Sequence, residues 1–343
     1  MNICICGGGS LGHVCAGVLA SQTDVRLNIL TGHPDSWGNA VTVTDLNSKE
    51  YVGHINRISS DAREVAVAQD IILLCLPGFM IEKTLRDIKP YIGEAVVGSV
   101  VSSTGFFFFA HDILGTDARL FGFQRVPFIA RVAEYGHSAR LLGYKSSLAV
   151  AVENVDNAES FAETLSELFH TPTTLLHSFY EAALTNSNPI LHTGRLYTMF
   201  CGKEQEVFDH NILFYEEWTD EASTLLIAMD KEFFHLLDKL NIHSIPTLLD
   251  YYESTDAASL TRKIRSITAF KGITSPMKQT ADGWTIDFTS RYFTEDFPYG
   301  LHHIYKLAKE HNIPCPNIEK VYRWGSKFLS SITSQQTLHT SQR

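Results

Sequence analysis

The start of the chain constrains it most. Residues 2–17, NICICGGGSLGHVCAG, run a short apolar strand directly into Gly7, Gly8 and Gly9, with Gly12 three residues further on. The spacing Gly7-x-Gly9-x-x-Gly12 carries meaning when it follows a strand and opens a helix, as it does here. The first glycine permits the tight turn, the second lets backbone approach a pyrophosphate, and the third lets helix and strand pack closely. The helix N-terminus then offers free N–H groups and a partial positive charge to the phosphates. A dinucleotide-binding α/β sheet is expected, with Gly7, Gly9, Ser10, Leu11 and Gly12 as candidate cofactor-binding residues.

In many such folds an acidic residue at the end of strand two accepts the ribose hydroxyls of NAD. Here the strand runs LNILTGHPDSW, and Thr31, Gly32 and His33 occupy the place. A carboxylate there would repel a 2′-phosphate, so its absence mildly favours NADP, with Thr31 and His33 as hydrogen-bonding groups for that phosphate. No arginine supports the phosphate, and Asp35 is placed to reach a ribose, so NADP and NAD both stay open. CLPG at 75–78 follows a central strand and sets Leu76 and Pro77 beside the cofactor. The competing reading is a plain turn after a buried strand.

The first half alternates short strands and helices, the pattern of a parallel sheet with crossover helices. Strands are expected over 2–6, 25–30, 70–76 and 95–101, with 119–123 and 148–152 closing the sheet, and helices over 11–21, 61–67 and 81–91. The run IILLCL at 71–76 is apolar on both faces, as a strand in the middle of a covered sheet should be. After about residue 155 helical periodicity takes over. Leu225, Leu226, Met229, Phe233, Leu236, Leu237 and Leu240 fall along one side of a helix spanning 217–240. A chain of 343 residues suits two domains. They are expected over 1–160 and 161–330, the boundary lying between 150 and 180, with 331–343 as a polar, frayed tail.

Composition narrows the function. The formal charge of -10 and the absence of a Lys/Arg-rich run argue against nucleic acid. The six cysteines form no Cys-x-x-Cys pair, so reduced, mostly buried thiols are expected and no metal site. Cys4, Cys6, His13 and Cys15 do not make one, because strand alternation and the turn send them apart. No basic residue precedes Arg26, which argues against a secretory signal, and the longest uncharged stretch, 95–110, is too short for a membrane helix. A cytoplasmic protein with no membrane partner is expected.

Two stretches of the second half are polar beyond what a helical domain needs: NSNPILHTGRLY at 186–197 and RYFTEDFPYGLHH at 291–303. Pro189 suits the first turn of a helix with Asn188 as its N-cap, which sets His192 one turn inside. Arg291, Glu295 and Asp296, followed by Pro298 and Gly300, predict an ordered loop before a helix beginning near Leu301. Each residue has an ordinary alternative: Arg291 and Glu295 as a solvated i,i+4 pair, Arg195 as a surface or interdomain ion pair. Yet hydride transfer to a carbonyl or imine needs a proton donor, a carboxylate to orient and charge it, and a cation for an anionic substrate. His192, Asp296 and Arg291 are of those three types. Gln124 and Arg125 come at a strand end where a nicotinamide would lie, with loop solvation as the alternative.

Taken together, GGGSLG, SNPILHTGRLY and RYFTEDFPYGL resemble the opine dehydrogenase family, known from octopine and nopaline dehydrogenases, over most of the chain. The resemblance implies a Rossmann-type doubly wound parallel sheet followed by an all-α, helical substrate and catalytic domain. It implies NADH- or NADPH-dependent reductive condensation of an α-keto acid with the amine of an amino acid, with small-molecule partners; a homodimer is left open. It places a catalytic pair on His192 and Asp296 and a carboxylate-binding arginine on Arg291; Arg195, one helical turn from His192, is a candidate for a second substrate carboxylate, and Asn188 a further substrate candidate. Thr193 stands where many relatives have proline, and strand two lacks the acidic end. The rival readings are a ketopantoate- or 2-keto-acid-type reductase, which would turn over keto acid alone, and a non-catalytic dinucleotide sensor.

Overall fold

The computed structural model describes residues 1–340, with side chains described as far as residue 329. The chain divides into two compact units between Thr185 and Asn186. The first unit contains β1 (Asn2–Cys6), α1 (Ser10–Ala20), β2 (Arg26–Leu30), β3 (Ala40–Asp45), β4 (Glu50–Ser59), α2 (Ala62–Val65), β5 (Ile71–Leu74) and α3 (Gly78–Ile88). It continues with β6 (Val96–Ser99), α4 (Phe106–Leu114), β7 (Leu120–Phe123), β8 (Phe128–Glu134), β9 (Ser138–Tyr144), β10 (Leu148–Glu153), α5 (Ala158–Phe169), β11 (Thr173–Leu175) and α6 (Phe179–Leu184).

All eleven strands form one sheet in the order β11-β10-β7-β6-β5-β1-β2-β4-β3-β9-β8. The centre, from β7 to β4, is parallel. Strand order reverses at β1, which pairs with β2 on one side and β5 on the other. The glycine turn leaves the C-terminal end of β1 and so stands at the topological switch point, where ligands of such sheets bind. The expected α/β architecture is therefore present, and β10 closes it as expected, lying antiparallel beside β7.

Strands β3, β4, β8 and β9 are not among those expected, although β3 alternates cleanly with Val41 and Val43 inward. In β4 the inward positions include Tyr51, Gly53 and Ile55, and in β9 Ala139 and Leu141. Glycine is required at Gly53 of β4 and at Gly17 of α1 because the helix lies almost directly on β3 and β4 at these points. A Cβ added at Gly53 would come within 2.5 Å of the Ala16 carbonyl oxygen, and one at Gly17 within 2.3 Å of Val43 Cγ2. At the start of α1, buried His13 reaches across to the β8–β9 turn. Its Nδ1 donates to the Gly9 carbonyl (3.0 Å), its Nε2 accepts the Gly136 N–H (2.7 Å), and its ring stacks on Trp37 at 4.2 Å. Burial holds this imidazole below its ordinary pKa, which suits the neutral tautomer those two bonds require.

The boundary lies some way beyond the expected 160. Helix α5 packs Ala162, Leu165, Leu168 and Phe169 into the same core as β1, β2 and β10, and β11 adds a strand beside β10. Helical periodicity begins before the sheet is finished.

The second unit is helical, with α7 (Asn188–Phe200), α8 (Asp220–Lys239), α9 (Leu248–Tyr251), α10 (Ala257–Ser266), a β12–β13 hairpin (Met277–Thr280, Gly283–Ile286) and α11 (Arg291–Thr294). A π-helical turn, Phe297–Leu301, then leads into α12 (His302–Glu310) and α13 (Pro316–Thr340). The predicted stripe is buried along α8, with Leu240 just past its end. Helix α7 packs on it where Gly194 meets Met229 Sδ at a Cβ distance of 3.3 Å. Helix α13 runs through most of the segment expected as a tail, of which 341–343 lie outside the described residues. Among the described residues no helix is long and apolar enough to cross a membrane.

The α1 seat makes a direct prediction. Gly53→Val drives two methyl groups into the backbone of α1 and should cost about 1–3 kcal/mol, the usual penalty of overpacking. A urea-unfolding midpoint equal to that of the unmodified protein would contradict the seat.

Candidate functional site

In the first unit, Gly7 has φ +122, a conformation L side chains rarely adopt, and its N–H donates to the Leu30 carbonyl at 2.9 Å. A Cβ at Gly12 would lie 2.0 Å from the Gly7 carbonyl oxygen, so the third glycine is fixed by packing. At Gly9 a Cβ would meet nothing within 4 Å. Gly9 caps α1 in extended conformation with no side-chain hydrogen bond, leaving first-turn N–H groups for a ligand. This is a cradle open where a pyrophosphate needs room, and the residues present fit a dinucleotide.

Beside it opens a cavity of about 780 Å³, whose walls include Gly7, Gly8, Gly9, Thr31, His33, Leu76 and Pro77. Ser10, Leu11 and Gly12 do not line it. The Ser10 hydroxyl instead accepts the Val132 N–H at 3.2 Å, tying β8 to α1, and Leu11 packs against the core. Asp35 sits in an exposed 3-10 turn away from the cavity. Asp61, after β4, and Asp87 of α3 are carboxylates that line it; the backbone N–H and guanidinium of Arg63 hold Asp61 below its ordinary range. Thr31 is buried, its Oγ1 3.4 Å from the His33 nitrogen and 3.5 Å from the Tyr135 hydroxyl. Tyr135 and Gly8 are cavity residues that sequence reasoning missed. Tyr135 comes from the β8–β9 turn, and a Cβ at Gly8 would lie 2.5 Å from its hydroxyl. At the end of β7, the Gln124 amide lies 3.4 Å from the Glu181 carbonyl and Arg125 3.4 Å from that of Thr185, both long contacts.

The second unit joins the two polar stretches. Helix α7 begins one residue earlier than expected. Its N-cap is Ser187; Asn188 is already helical, and its N–H donates to Asn186 Oδ1 at 3.2 Å. His192 stands one turn inside, as expected. The segment after Arg291 is helical rather than a loop: α11 passes into the π turn, where the Leu301 N–H reaches back to the Asp296 carbonyl at 2.8 Å. Pro298 has no N–H to give, which favours wider spacing at this point. Gly300 lets the turn approach α7, since a Cβ there would lie 2.5 Å from Pro189 Cγ.

That approach brings Asp296 to His192, 104 residues away in sequence. His192 Nδ1 lies 2.8 Å from Asp296 Oδ2, and its Nε2 lies 2.9 Å from the Tyr215 hydroxyl. Their side chains are only 12% and 18% exposed, so the interaction is little screened. Phe214 edges the imidazole at 5.5 Å and Tyr292 covers it at 4.8 Å. Tyr215 is buried and stacked on Phe270, and burial raises its pKa, keeping the phenol protonated.

Arg291 is exposed, and among the described residues its guanidinium takes part in no hydrogen bond or ion pair, the expected alternative with Glu295 included. Its charge is available to a ligand. Arg195 corrects an expectation. It is buried and donates to the carbonyls of Phe214 (3.1 Å) and Glu217 (2.7 Å), with Trp218 under its charge. Burial lowers it to about 10, still cationic at neutral pH. It faces main-chain carbonyls instead of a substrate, and by holding the 214–217 segment it positions Tyr215. Nothing in the motifs singled out Tyr215, which lies in an ordinary aromatic stretch. Among the described residues no group of His, Cys, Asp and Glu is arranged to hold a metal ion.

The NAD/NADP octopine/nopaline dehydrogenase alpha-helical domain matches residues 175–329. The chain is 26% identical to an opine dehydrogenase of Haliotis discus hannai, covering 96% of this chain and 90% of that protein. It is 27% identical to a tauropine dehydrogenase of Arabella iricolor, covering 95% and 90%. Among solved structures, octopine dehydrogenase with NADH and L-arginine superposes with a TM-score of 0.84 at 23% identity, over 96% of this chain and 90% of that one.

The Gly300–Pro189 contact predicts the behaviour of Gly300→Ala. A displacement of about 1 Å at the His192–Asp296 pair should lower turnover about 100-fold. Dinucleotide affinity, measured by fluorescence titration, should stay unchanged because the cradle belongs to the first unit. Unimpaired turnover would show that the turn does not set the pair.

Proposed function

We propose that this chain, which belongs to the opine dehydrogenase family, condenses an α-keto acid with the amino group of an amino acid and reduces the product to a secondary amine dicarboxylate. The observation that carries the reading is the shielded His192–Asp296 pair, with the uncommitted cation of Arg291 on the same stretch as the aspartate. When bound, the reduced nicotinamide dinucleotide, NADPH or NADH, supplies a hydride to the former keto carbon.

The chain's own residues do the rest. Asp296 accepts the Nδ1–H of His192, which fixes the ring and leaves Nε2 as the nitrogen that exchanges a proton. As the neutral amine adds to the keto carbon, His192 supplies the proton taken up by the departing oxygen. The amine nitrogen gives up one of its protons to the same oxygen, water leaves, and the protonated imine that remains becomes the neutral secondary amine on taking up the hydride. The proton from His192 is the one consumed in the overall reaction. Arg291 holds a substrate carboxylate with two parallel N–H bonds, the geometry for which a guanidinium is suited. Asn188, half-buried in the first turn of α7, offers its amide to the same substrate. A cytoplasmic location fits six free thiols, five of them buried.

Oxidation of NADPH and NADH, followed optically with pyruvate or 2-oxoglutarate, should require an amino acid as well as the keto acid. His192→Ala should lower kcat about 10²- to 10⁴-fold, the usual cost of a positioned acid, with dinucleotide binding intact. Full turnover with keto acid alone would make the protein a simple reductase. Tight dinucleotide binding without turnover would make it a sensor.

A further inference from the structure

Toward the N-terminal ends of β1 and β2 the first unit holds a second cavity, of about 300 Å³, which shares no lining residue with the dinucleotide cavity. It opens beside α2, a single turn where a longer crossover helix would cover this face of a parallel sheet. Ile3, Leu27 and Ile29 turn to the core under α1, so strand alternation leaves Asn2, Arg26 and Asn28 on the face beside α2. Between Leu27 and Asn28 the pairing with β4 slips by one residue, which sets Arg57 opposite Asn28 and makes Asn56 the extra residue of a bulge. Buried Asn28 is taken up by structure: its Nδ2 donates to the Val65 carbonyl (3.1 Å) and its Oδ1 accepts from Asn56 Nδ2 (2.8 Å). The charged groups are not. Arg26, Arg57 and Glu64 line the cavity, yet among the described residues none of these side chains takes part in a hydrogen bond or an ion pair. One acceptor of the same wall is also unmet. Gln69 Nε2 donates to the Val67 carbonyl at 2.8 Å, which leaves Oε1 buried without a partner, and such atoms are normally paired.

We propose that this cavity binds a small amino dicarboxylate. Opposite charges that share a wall without touching leave room for a ligand that bridges them. Two guanidiniums and one carboxylate in the wall match two carboxylates and one ammonium in the ligand. On a chain of net charge -10, a cavity with an excess of cations draws anions to one place. Arg26 and Arg57 each take a carboxylate with paired N–H bonds, and Glu64 accepts from the ammonium. The volume stands at the small end for ligand cavities and suits a molecule of this size, not a dinucleotide. Two sources have this chemistry: an acidic α-amino acid, and the product of the condensation proposed above. The ligand class is read from the cavity and stands without that reaction; only the second source rests on it.

The full chain is titrated calorimetrically with L-glutamate, with iminodiacetate as the simplest secondary amine dicarboxylate, and with glutarate, which lacks the ammonium. Arg291→Gln is the background, which removes the substrate carboxylate site proposed for the second unit. Binding of glutamate or iminodiacetate should weaken about 10- to 100-fold in Arg26→Gln and in Arg57→Gln, the loss of one charge-assisted contact. Glu64→Gln should weaken both amino compounds about tenfold and leave glutarate unchanged or tighter. All three side chains are exposed, so the variants keep the fold, and NADH affinity should stay unchanged. Tighter binding of glutamate names the amino acid as the source, and tighter binding of iminodiacetate names the product. No saturation by either compound below about 10 mM, glutarate bound as tightly as glutamate, or binding insensitive to Arg57→Gln overturns the proposal. Every arm reads binding and none needs turnover, so a protein that fails to condense its substrates leaves the cavity's ligand to be decided by these titrations alone.

Discussion

The contact between His192 Nδ1 and Asp296 Oδ2 is the interaction on which the chemistry proposed for the second unit depends. Neither residue is held by its neighbours in sequence, so the bond is as good as the packing beneath it. Three features set it. Gly194 lets α7 sit close on α8, the π turn offsets the backbone at Asp296, and Gly300 lets that turn approach Pro189. A π turn is a costly way to continue a helix and is frequent at functional sites. Here it aims a carboxylate that an uninterrupted α-helix would point elsewhere. The aromatic rings of Phe214 and Tyr292 then shield the pair, strengthening an interaction that would be weak on an open surface.

The first unit works by backbone alone. Its cradle is built from Gly7 at positive φ, Gly12 under the Gly7 carbonyl, and Gly9 with nothing in front of it. Each has a different surrounding: Cys75 and Leu76, just past β5, behind Gly7, the turn itself around Gly12, and open space at Gly9. Helix α1, which begins at this cradle, is in turn seated on β3 and β4 through Gly17 and Gly53 and tied to the β8–β9 turn by His13. The outer strands are thus a support for helix α1, and through Tyr135 of the β8–β9 turn they also contribute to the cavity wall.

What was legible in the sequence follows from this difference. The glycine turn, the doubly covered strand at 71–76 and the stripe of α8 are local patterns, and each appears where expected. In β4, β8 and β9 a glycine or alanine (Gly53, Ala130, Ala139) interrupts the large apolar residues on the inward face, which weakens the alternation that marks a strand, whereas β3 carries that alternation openly in Val41 and Val43. His192, Asp296 and Arg291 were visible as residue types and through a family resemblance, but their juxtaposition depends on a wider helical turn that only Pro298 and Gly300 foreshadow. Arg195 reads like a substrate cation because charge is visible in sequence and burial is not. Its true neighbours are carbonyls some twenty residues away. Tyr215 was invisible for the same reason, since its role comes from the ring nitrogen opposite it.

The measurement that tests the account most directly follows the hydride. The protein is supplied with reduced dinucleotide carrying deuterium at the transferred position, together with keto acid and amino acid, and the product is read by mass spectrometry. The account predicts a secondary amine, lighter than the two substrates and two added hydrogens by one water, with deuterium on the former keto carbon. Deuterium found instead in a free hydroxy acid would mean that the carbonyl is reduced without being joined to an amine, and would contradict it.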